Sequence, residues 1–416
     1  MLNIPKNYPI FLRLNPFFIL IIAFLVSLLW LWVFHVRYKA AEKRNKQFLT
    51  NFYNVNDSDA NDHIAKALSF SKGNAVYYAN QGLFFVRNVG RQFEKIVNDS
   101  LKITVSDKKK LQMAQEAFEK ATELNPDDAL FIHNLAWIRY LLGDTIAAMS
   151  NFNRTNELDP NIALYHISRG LIFEREGEIK KAVKEYLLAI CLSPDIIDSD
   201  FFIHLKTCFP EKTDSIGKEA IKCLENKVKQ TNNPIFKARL AKLYLSNKQY
   251  TKAEKLLTEV TKQLPNLNRP WYYLGVIEEM KNDTNSFKKS YQRSLLLDQA
   301  DYLPNLRMAE YYYRFDPKAS LAYYRNALRS WCMLYSDHYY KSVRIYDSKL
   351  LSNDVFPSGL LSYIKPAFDY NLYCQKISGI YAMTGKKKLA EYYNKLSIGI
   401  IPVTDILNNK TLNSNY

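Results

Sequence analysis

One short phrase recurs at a fixed interval in the first half of this chain. It reads ELNPDDAL at residues 123–130, ELDPNIAL at 157–164 and, less clearly, CLSPDIID at 191–198. The prolines of the three copies, Pro126, Pro160 and Pro194, are 34 residues apart. A unit of 34 residues has room for two short helices, and a pair of that size cannot bury its own apolar face. The interval therefore predicts a stack of similar helix pairs.

The composition also favours helices. Of 416 residues, 48% are hydrophobic and only 12 are glycine, which disfavours phosphate-binding glycine loops and folds with many tight turns. The net charge of +16 favours anionic partners such as phospholipid or acidic protein. The chain is equally rich in the residues that an AT-rich genome over-encodes, so its charge is weak evidence of function.

Within the 34-residue units, small residues, aromatic residues and prolines recur at fixed positions. The unit 163–196 contains Gly170, Ala182, Tyr186 and Pro194, and residues 268–301 open with the sequence W-x2-L-G. This pattern resembles the tetratricopeptide repeat (TPR) family. The resemblance implies an all-α fold, a right-handed α-solenoid of helix pairs, which here follows one N-terminal transmembrane helix.

The resemblance divides the chain into four parts. We expect an N-terminal tail (1–15), a transmembrane helix (16–36), a helical solenoid (37–404) and a C-terminal tail (405–416). The clearest repeats are 75–128, 129–162, 163–196, 234–267, 268–301 and 371–404. The first of these carries an insertion at 91–110, and residues 335–370 fit no repeat.

Residues 16–36, PFFILIIAFLVSLLWLWVFHV, predict a membrane anchor. These 21 residues lack a charged side chain and reach about 32 Å as a helix, enough to cross a bilayer. Because the run continues directly into RYKAAEKRNK, a cleaved signal peptide is disfavoured. More Lys and Arg residues follow the span than precede it. The positive-inside rule therefore predicts that the larger part lies in the cytoplasm. We expect a single-pass protein of a bacterial inner or plasma membrane.

Signatures of catalysis, cofactor binding and metal binding are missing from the sequence. The six His residues form no H-E-x-x-H motif or other paired ligand spacing, and the five Cys residues include no C-x-x-C pair. The basic runs 108–110 and 386–388 are not interleaved with aromatic residues, so nucleic acid is not an expected partner. We therefore predict a protein that is not an enzyme and has no cofactor.

The resemblance implies a concave groove lined by the first helix of each pair, which in this family binds a peptide or helix of a partner. The predicted groove residues are Val76, Ala79, Leu83, Leu130, His133, Trp137, Tyr140, Leu164, Ile167 and Leu171. This lining predicts an apolar or aromatic protein segment as ligand. The alternative is that the protein's own side chains fill the groove. The family's carboxylate clamp needs Lys and Asn on successive first helices, and only Asn134 suits it.

Two functions are consistent with these features. The first is a membrane-anchored scaffold that binds protein partners in its groove and tethers them at the lipid bilayer through residues 16–36. The alternative is an accessory component of a bacterial cell-envelope polysaccharide assembly or secretion machine. An apolar span that runs into such repeats is similar to the tail of some O-antigen ligases, although this sequence has no catalytic membrane domain.

Overall fold

The computed structural model describes residues 16–53, 57–90, 101–299, 301–335, 368–401 and 406. Within these ranges the chain forms 18 α-helices and one short 3-10 helix, without a β-strand. The expected all-α solenoid is confirmed. The predicted tail 1–15, residues 91–100 of the insertion, residues 336–367 and most of the tail 405–416 lie outside the described residues.

The helices follow one another with short connections. They are α1 (Pro16–Tyr53), α2 (Asp57–Phe70), α3 (Ala75–Gly90), α4 (Val105–Leu124), α5 (Ala129–Leu141), α6 (Thr145–Leu158), α7 (Ala163–Arg175), α8 (Ile179–Leu192), the 3-10 helix (Pro194–Asp198), α9 (Asp200–Cys208), α10 (Pro210–Thr231), α11 (Pro234–Ser246), α12 (Tyr250–Gln263), α13 (Asn268–Met280), α14 (Thr284–Leu297), α15 (Tyr302–Tyr313), α16 (Pro317–Tyr335), α17 (Tyr370–Met383) and α18 (Lys387–Ser397).

Consecutive helices pack as pairs, and each pair packs against the next. The pairs are α1–α2, α3–α4, α5–α6, α7–α8, α11–α12, α13–α14, α15–α16 and α17–α18. The first helices α5 and α7 begin 34 residues apart, and so do α11, α13 and α15. The period read from the prolines is therefore the period of the helix pairs.

The repeated phrase lies at the junction between pairs. ELNPDDAL ends α4 at Leu124 and begins α5 at Ala129, and the Asp128 carboxylate accepts hydrogen bonds from the backbone N–H groups of Leu130 and Phe131. These bonds satisfy amides that the first turn of a helix leaves unpaired. Gly143 lies in the turn within a pair and has a φ of 93°, a conformation that favours glycine.

The most irregular unit lies between α8 and α11. In place of a regular first helix it has the 3-10 helix Pro194–Asp198 and the nine-residue α9. Pro210 is the first residue of α10, where its missing N–H costs no helical hydrogen bond. The long helix α10 packs against both α8 and α11, so the stack continues through this unit.

Helix α1 combines two different surfaces. It runs without interruption from Pro16 to Tyr53. From Phe18 to Val36 its described side chains are exposed and mostly large and apolar, whereas Ala41, Phe48 and Phe52 are buried in the core. By length and composition, Leu20–Phe52 is a candidate membrane span, the only one among the described residues. The apolar segment therefore continues directly into the first helix pair.

Candidate functional site on the first helices

Hydrogen bonds between residues 35 positions apart connect the first helices of neighbouring pairs. Four such bonds are described: Asn80 Nδ2 donates to Asn45 Oδ1 (2.9 Å), the Arg87 guanidinium donates to the Phe52 carbonyl, His133 Nε2 bonds Ser168 Oγ (2.8 Å), and Arg175 Nη1 donates to the Tyr140 hydroxyl (3.1 Å). The same face of successive first helices is thus used for contact between pairs.

Most of the predicted groove residues belong to this contact face or to the core. Buried are Ala79, Leu83, His133, Trp137, Leu164, Ile167 and Leu171; half-buried are Val76, Leu130 and Tyr140. His133 and Trp137 both bond Ser168 Oγ on the next first helix, at 2.8 and 3.2 Å. Between α5 and α7 the protein's own side chains therefore occupy the space, and the predicted peptide contact at these ten residues stays a prediction.

His133 illustrates what this burial does to a titratable group. Its ring is fully enclosed, with centroids 4.9 Å from the Tyr165 ring and 5.7 Å from the Phe152 ring. Burial disfavours the charged imidazolium and lowers the pKa of His133 to about 3. At neutral pH His133 is a neutral packing residue that bonds Ser168.

A second buried histidine links the repeated proline to the next helix pair. His166 Nε2 donates to the Pro160 carbonyl (2.9 Å), and its Nδ1 lies 2.8 Å from Glu185 Oε2. Arg169 Nη2 donates to Glu185 Oε1 at 2.6 Å. Burial by itself raises the pKa of Glu185, but the hydrogen bonds with His166 and Arg169 outweigh it and lower that pKa. The network connects the junction to α7 and α8 through the Glu185 carboxylate.

A polar pocket of about 210 Å³ opens on the first helices further along the chain. Its walls come from α11, α13 and α15, together with the 3-10 helix and the start of α12. The lining residues are Asp195, Asp198, Lys242, Leu245, Tyr250, Tyr272, Tyr273, Val276, Met280, Leu303 and Arg307. Three successive first helices thus contribute to its walls.

Charged and tyrosyl groups in this pocket hold one another in fixed positions. The Tyr273 hydroxyl donates to Asp195, and Lys242 Nζ donates to Asp198 Oδ2 at 2.5 Å. Burial, and then the nearby Asp195 carboxylate, raise the pKa of Tyr273 far above its usual value. Tyr273 is therefore a neutral hydrogen-bond donor. The arrangement suits recognition of polar groups on a ligand.

Sequence reasoning did not identify this pocket. One signal was available, because Tyr273 and Arg307 occupy the same position of consecutive 34-residue units. The part of the pocket around Asp195 could not be found from the 34-residue period. Asp195 lies 78 residues before its partner Tyr273, in the irregular unit that lacks a normal first helix.

The structure also brings together three side chains that can ligate a metal. They are Glu174 at the end of α7 and His204 and Cys208 on α9, with one ligand atom of each within 4.8 Å of the others. The sequence predicted no metal ligands. The available signal was the spacing H-x3-C, which places His204 and Cys208 one turn apart on a helix.

One segment of the chain matches a known family profile. Residues 106–128, which cover most of α4 and the turn after it, match the tetratricopeptide repeat profile. The repeat pattern of this segment is therefore that of a tetratricopeptide repeat. Such repeats generally act as scaffolds for protein–protein interactions.

Comparison with curated proteins gives two distant relatives. The chain is 24% identical over 219 residues to the BBSome complex member BBS4 of Bos taurus, covering 52% of this chain and 41% of that protein. It is 25% identical over 263 residues to the human protein O-mannosyl-transferase TMTC3, covering 61% of this chain and 28% of the relative. The chain thus spans less than half the length of either curated relative.

Two solved structures are similar to parts of this chain. One is YrrB, described as a TPR protein with an unusual peptide-binding site, at 20% identity, with 46% of this chain and 96% of YrrB covered and a TM-score of 0.25. The other is pilF of Pseudomonas aeruginosa, at 13% identity, with 66% and 99% covered and a TM-score of 0.30. These superpositions are too distant to support a conclusion about binding.

Proposed function

We propose that this protein is a membrane-anchored scaffold that holds a protein partner on its tetratricopeptide repeats. The observation that carries the proposal is the exposed apolar surface of α1. Trp30 is 72% exposed, Phe34 69% and Leu20 69%, within a continuous apolar segment. A contiguous apolar patch of this length is unfavourable in water, whereas it is stable in a bilayer. The lipid bilayer is therefore the proposed partner of residues 16–36.

A cavity at the end of this segment supports a location at the membrane surface. It measures about 500 Å³ and lies between α1 and the turn that follows α2. Trp30 and Phe34 line its apolar side, and the exposed Arg37 and Lys72 flank it. Aromatic rings and cations at the end of a span are typical of the headgroup layer, where cations meet phospholipid phosphates. The turn 71–74 would then contact the headgroups.

The proposed protein-binding site is the polar pocket formed by α11, α13 and α15. Its lining contains two carboxylates, the two cations Lys242 and Arg307, tyrosine rings and apolar side chains. A balanced set of charges suits the mixed chemistry of a peptide, whereas a nucleic acid backbone requires clustered cations. Three residues of the predicted groove are half-buried and so partly accessible: Val76, Leu130 and Tyr140. We propose them as a second contact, for an apolar segment of a partner.

Membrane anchoring is tested by truncation. Deleting residues 1–38 removes the exposed apolar segment but retains the buried part of α1, which begins at Ala41. We expect the full-length chain to stay in the membrane pellet after alkaline carbonate extraction and the truncated chain to remain folded in the supernatant. Extraction of the full-length chain by carbonate would contradict the anchor.

Sidedness is a separate part of the proposal. The excess of Lys and Arg after the span favours a cytoplasmic location of the repeats in a bacterial inner or plasma membrane. Protease added outside spheroplasts should leave the repeats intact and should digest them after lysis. Digestion before lysis would reverse the assignment.

Partner binding is tested by crosslinking in intact membranes followed by mass spectrometry. The exposed Arg307 at the pocket edge is changed to Glu, and the exposed Lys289 on the second helix α14 is changed to Glu as a matched control. We expect Arg307→Glu to lose a partner that the parent and Lys289→Glu both retain. An unchanged set of partners in both variants would exclude the pocket as the binding site.

A second candidate function is an accessory role in cell-envelope polysaccharide assembly or secretion. The similarity to a protein O-mannosyl-transferase supports it, although that match covers only 28% of the relative. Under this proposal the crosslinked partners are glycosyltransferases or polymerases, and disruption of the gene reduces surface polysaccharide. Normal polysaccharide in the disrupted strain would favour the general scaffold.

A further inference from the structure

The short helix α9 presents an imidazole and a thiol next to a fixed carboxylate. His204 Nδ1 lies 3.6 Å from Cys208 Sγ, and His204 Nε2 lies 3.0 Å from Glu174 Oε1. The Tyr186 hydroxyl donates to the other carboxylate oxygen, Glu174 Oε2, at 2.5 Å. Four side chains from α7, α8 and α9 thus form one connected group that the proposed scaffold function does not use.

The carboxylate determines which nitrogen of His204 carries the proton. Glu174 already accepts a hydrogen bond from Tyr186, and its ionised form can only accept, so Nε2 of His204 must donate. The lone pair of the neutral ring is then on Nδ1, the nitrogen that faces Cys208. A carboxylate on the outer nitrogen of a histidine is also the usual arrangement in metal sites, where it orients the ring.

The distance between the two remaining donor atoms fits a tetrahedral metal ion. Zinc lies about 2.0–2.1 Å from a histidine nitrogen and about 2.3 Å from a thiolate, so these two ligands are about 3.5 Å apart across a tetrahedral angle. The observed Nδ1 to Sγ distance is 3.6 Å. The separation of the two atoms is therefore the one that a tetrahedral zinc ion requires of this pair of ligands.

We propose that His204 Nδ1 and Cys208 Sγ bind a zinc ion, with Glu174 as the positioning carboxylate. Binding replaces the thiol proton, which leaves to solvent, and forms one nitrogen–zinc and one sulfur–zinc bond. Cys208 is exposed, so the other two coordination positions face solvent and take water. The ion would also connect two residues one turn apart and so stabilise a helix of only nine residues.

The same order of thiol, imidazole and carboxylate occurs in cysteine nucleophiles. Here Cys208 is the last residue of α9. The helix α10 begins two residues later, so the ends of both helices lie near the thiol. A cobalt–thiolate absorption distinguishes a metal site from an activated nucleophile.

The test uses the full-length chain in detergent with reductant after removal of bound metal. Cobalt serves as the probe, because a cobalt–thiolate bond gives an intense charge-transfer absorption in the near ultraviolet. We expect this absorption with one cobalt per chain, and its loss on addition of zinc. Cys208→Ser should abolish the absorption, and His204→Ala should abolish or strongly weaken it. Glu174→Gln should weaken binding about 10–100-fold, as expected for loss of an orienting carboxylate.

Cys223→Ser is the matched control, because Cys223 is a half-buried free thiol on α10. It should bind cobalt like the parent, and helical circular dichroism should be the same for all variants. Absence of the absorption in the parent chain, or its persistence in Cys208→Ser, would overturn the proposal.

Discussion

At the residue scale, aromatic rings that cover glycine set the distance between the two helices of a pair. A Cβ built on Gly170 would lie 2.4 Å from the Tyr186 ring, and one on Gly275 would lie 2.6 Å from the Tyr291 ring. Both tyrosine hydroxyls reach a glutamate on the first helix, Glu174 and Glu279, at 2.5 and 2.6 Å. Each tyrosine ring thus packs on a glycine and is fixed by the hydrogen bond of its hydroxyl, so it cannot easily move aside for an added Cβ.

Gly170→Ala and Gly275→Ala should therefore each lower the free energy of unfolding by about 1–3 kcal/mol, the usual cost of overpacking a core. Gly217→Ala on α10 is the matched control, because no atom lies within 4 Å of its Cβ position. That change should raise stability by about 0.5–1 kcal/mol through helix propensity. Denaturant unfolding measures all three. Equal effects at the three sites would contradict the packing explanation.

The buried His133 makes stability depend on pH. Its pKa of about 3 in the folded chain lies below the usual 6.5, so the unfolded chain binds the extra proton first. The contribution of the neutral His133 ring to the free energy of unfolding is therefore fully present above pH 6.5 and decreases as the pH falls towards 3. Between pH 7 and pH 5 we expect the parent to lose about 2 kcal/mol more than His133→Gln. Parallel pH profiles of the two proteins would show that His133 is not the cause.

At the element scale, the sequence predicted the helix pairs, their 34-residue period and the glycine turns, because these depend on local conformation and spacing. It did not predict which helical face contacts the next pair. The bonds between first helices join residues 35 apart, as in His133 to Ser168, one more than the period. A change of one residue turns a helical side chain by about 100°. The burial of Trp137 beside Ser168 therefore required the three-dimensional arrangement.

The helix α1 is a second case in which the sequence alone did not predict how elements are arranged in space. The sequence predicted an apolar span at 16–36 and a helical solenoid from residue 37, and the structure joins them as one helix, Pro16–Tyr53. Nothing between Val36 and Ala41 breaks a helix, since the segment contains no Gly or Pro. Under the proposed anchoring, a continuous helix would fix the direction in which the first pair leaves the bilayer. The cavity that residues 71–73 share with α1 near Arg37 could not be read from either segment alone.

At the scale of the whole molecule, the described repeats contain two hydrophobic clusters. The larger extends from Ala41 to Met308, and the smaller joins α15 and α16 to α17 and α18. In a linear stack each pair contacts only its neighbours, so the stability of the C-terminal pair depends on this one junction. Lys376 on α17 crosses it: its Nζ lies 2.7 and 2.8 Å from the two carboxylate oxygens of Glu310 on α15.

Lys376→Met should loosen the C-terminal pair selectively. The change keeps most of the apolar stem beside the Tyr313, Tyr324 and Tyr373 rings, which lie 5.3–5.8 Å from Nζ. It removes two charge-assisted hydrogen bonds at a half-buried site, and we expect a cost of about 1–2 kcal/mol. Amide hydrogen exchange in α17 and α18 should accelerate about 5–30-fold, while exchange in α7 and α8 should stay unchanged because the helices α9 to α16 lie between the two regions in the stack.

The matched control is Lys281→Met, which removes an equally short pair, at 2.6 Å, between the C-cap of α13 and Glu254 on α12. The Lys281 side chain is 53% exposed, so solvent already screens the pair and we expect a loss of about 0.5 kcal/mol or less. If Lys281→Met accelerated exchange in α13 as much as Lys376→Met does in α17, ion-pair geometry alone would explain both results. Acceleration in α7 by Lys376→Met would instead show that the repeats unfold as one cooperative unit, and the junction at Glu310 would then have no special role.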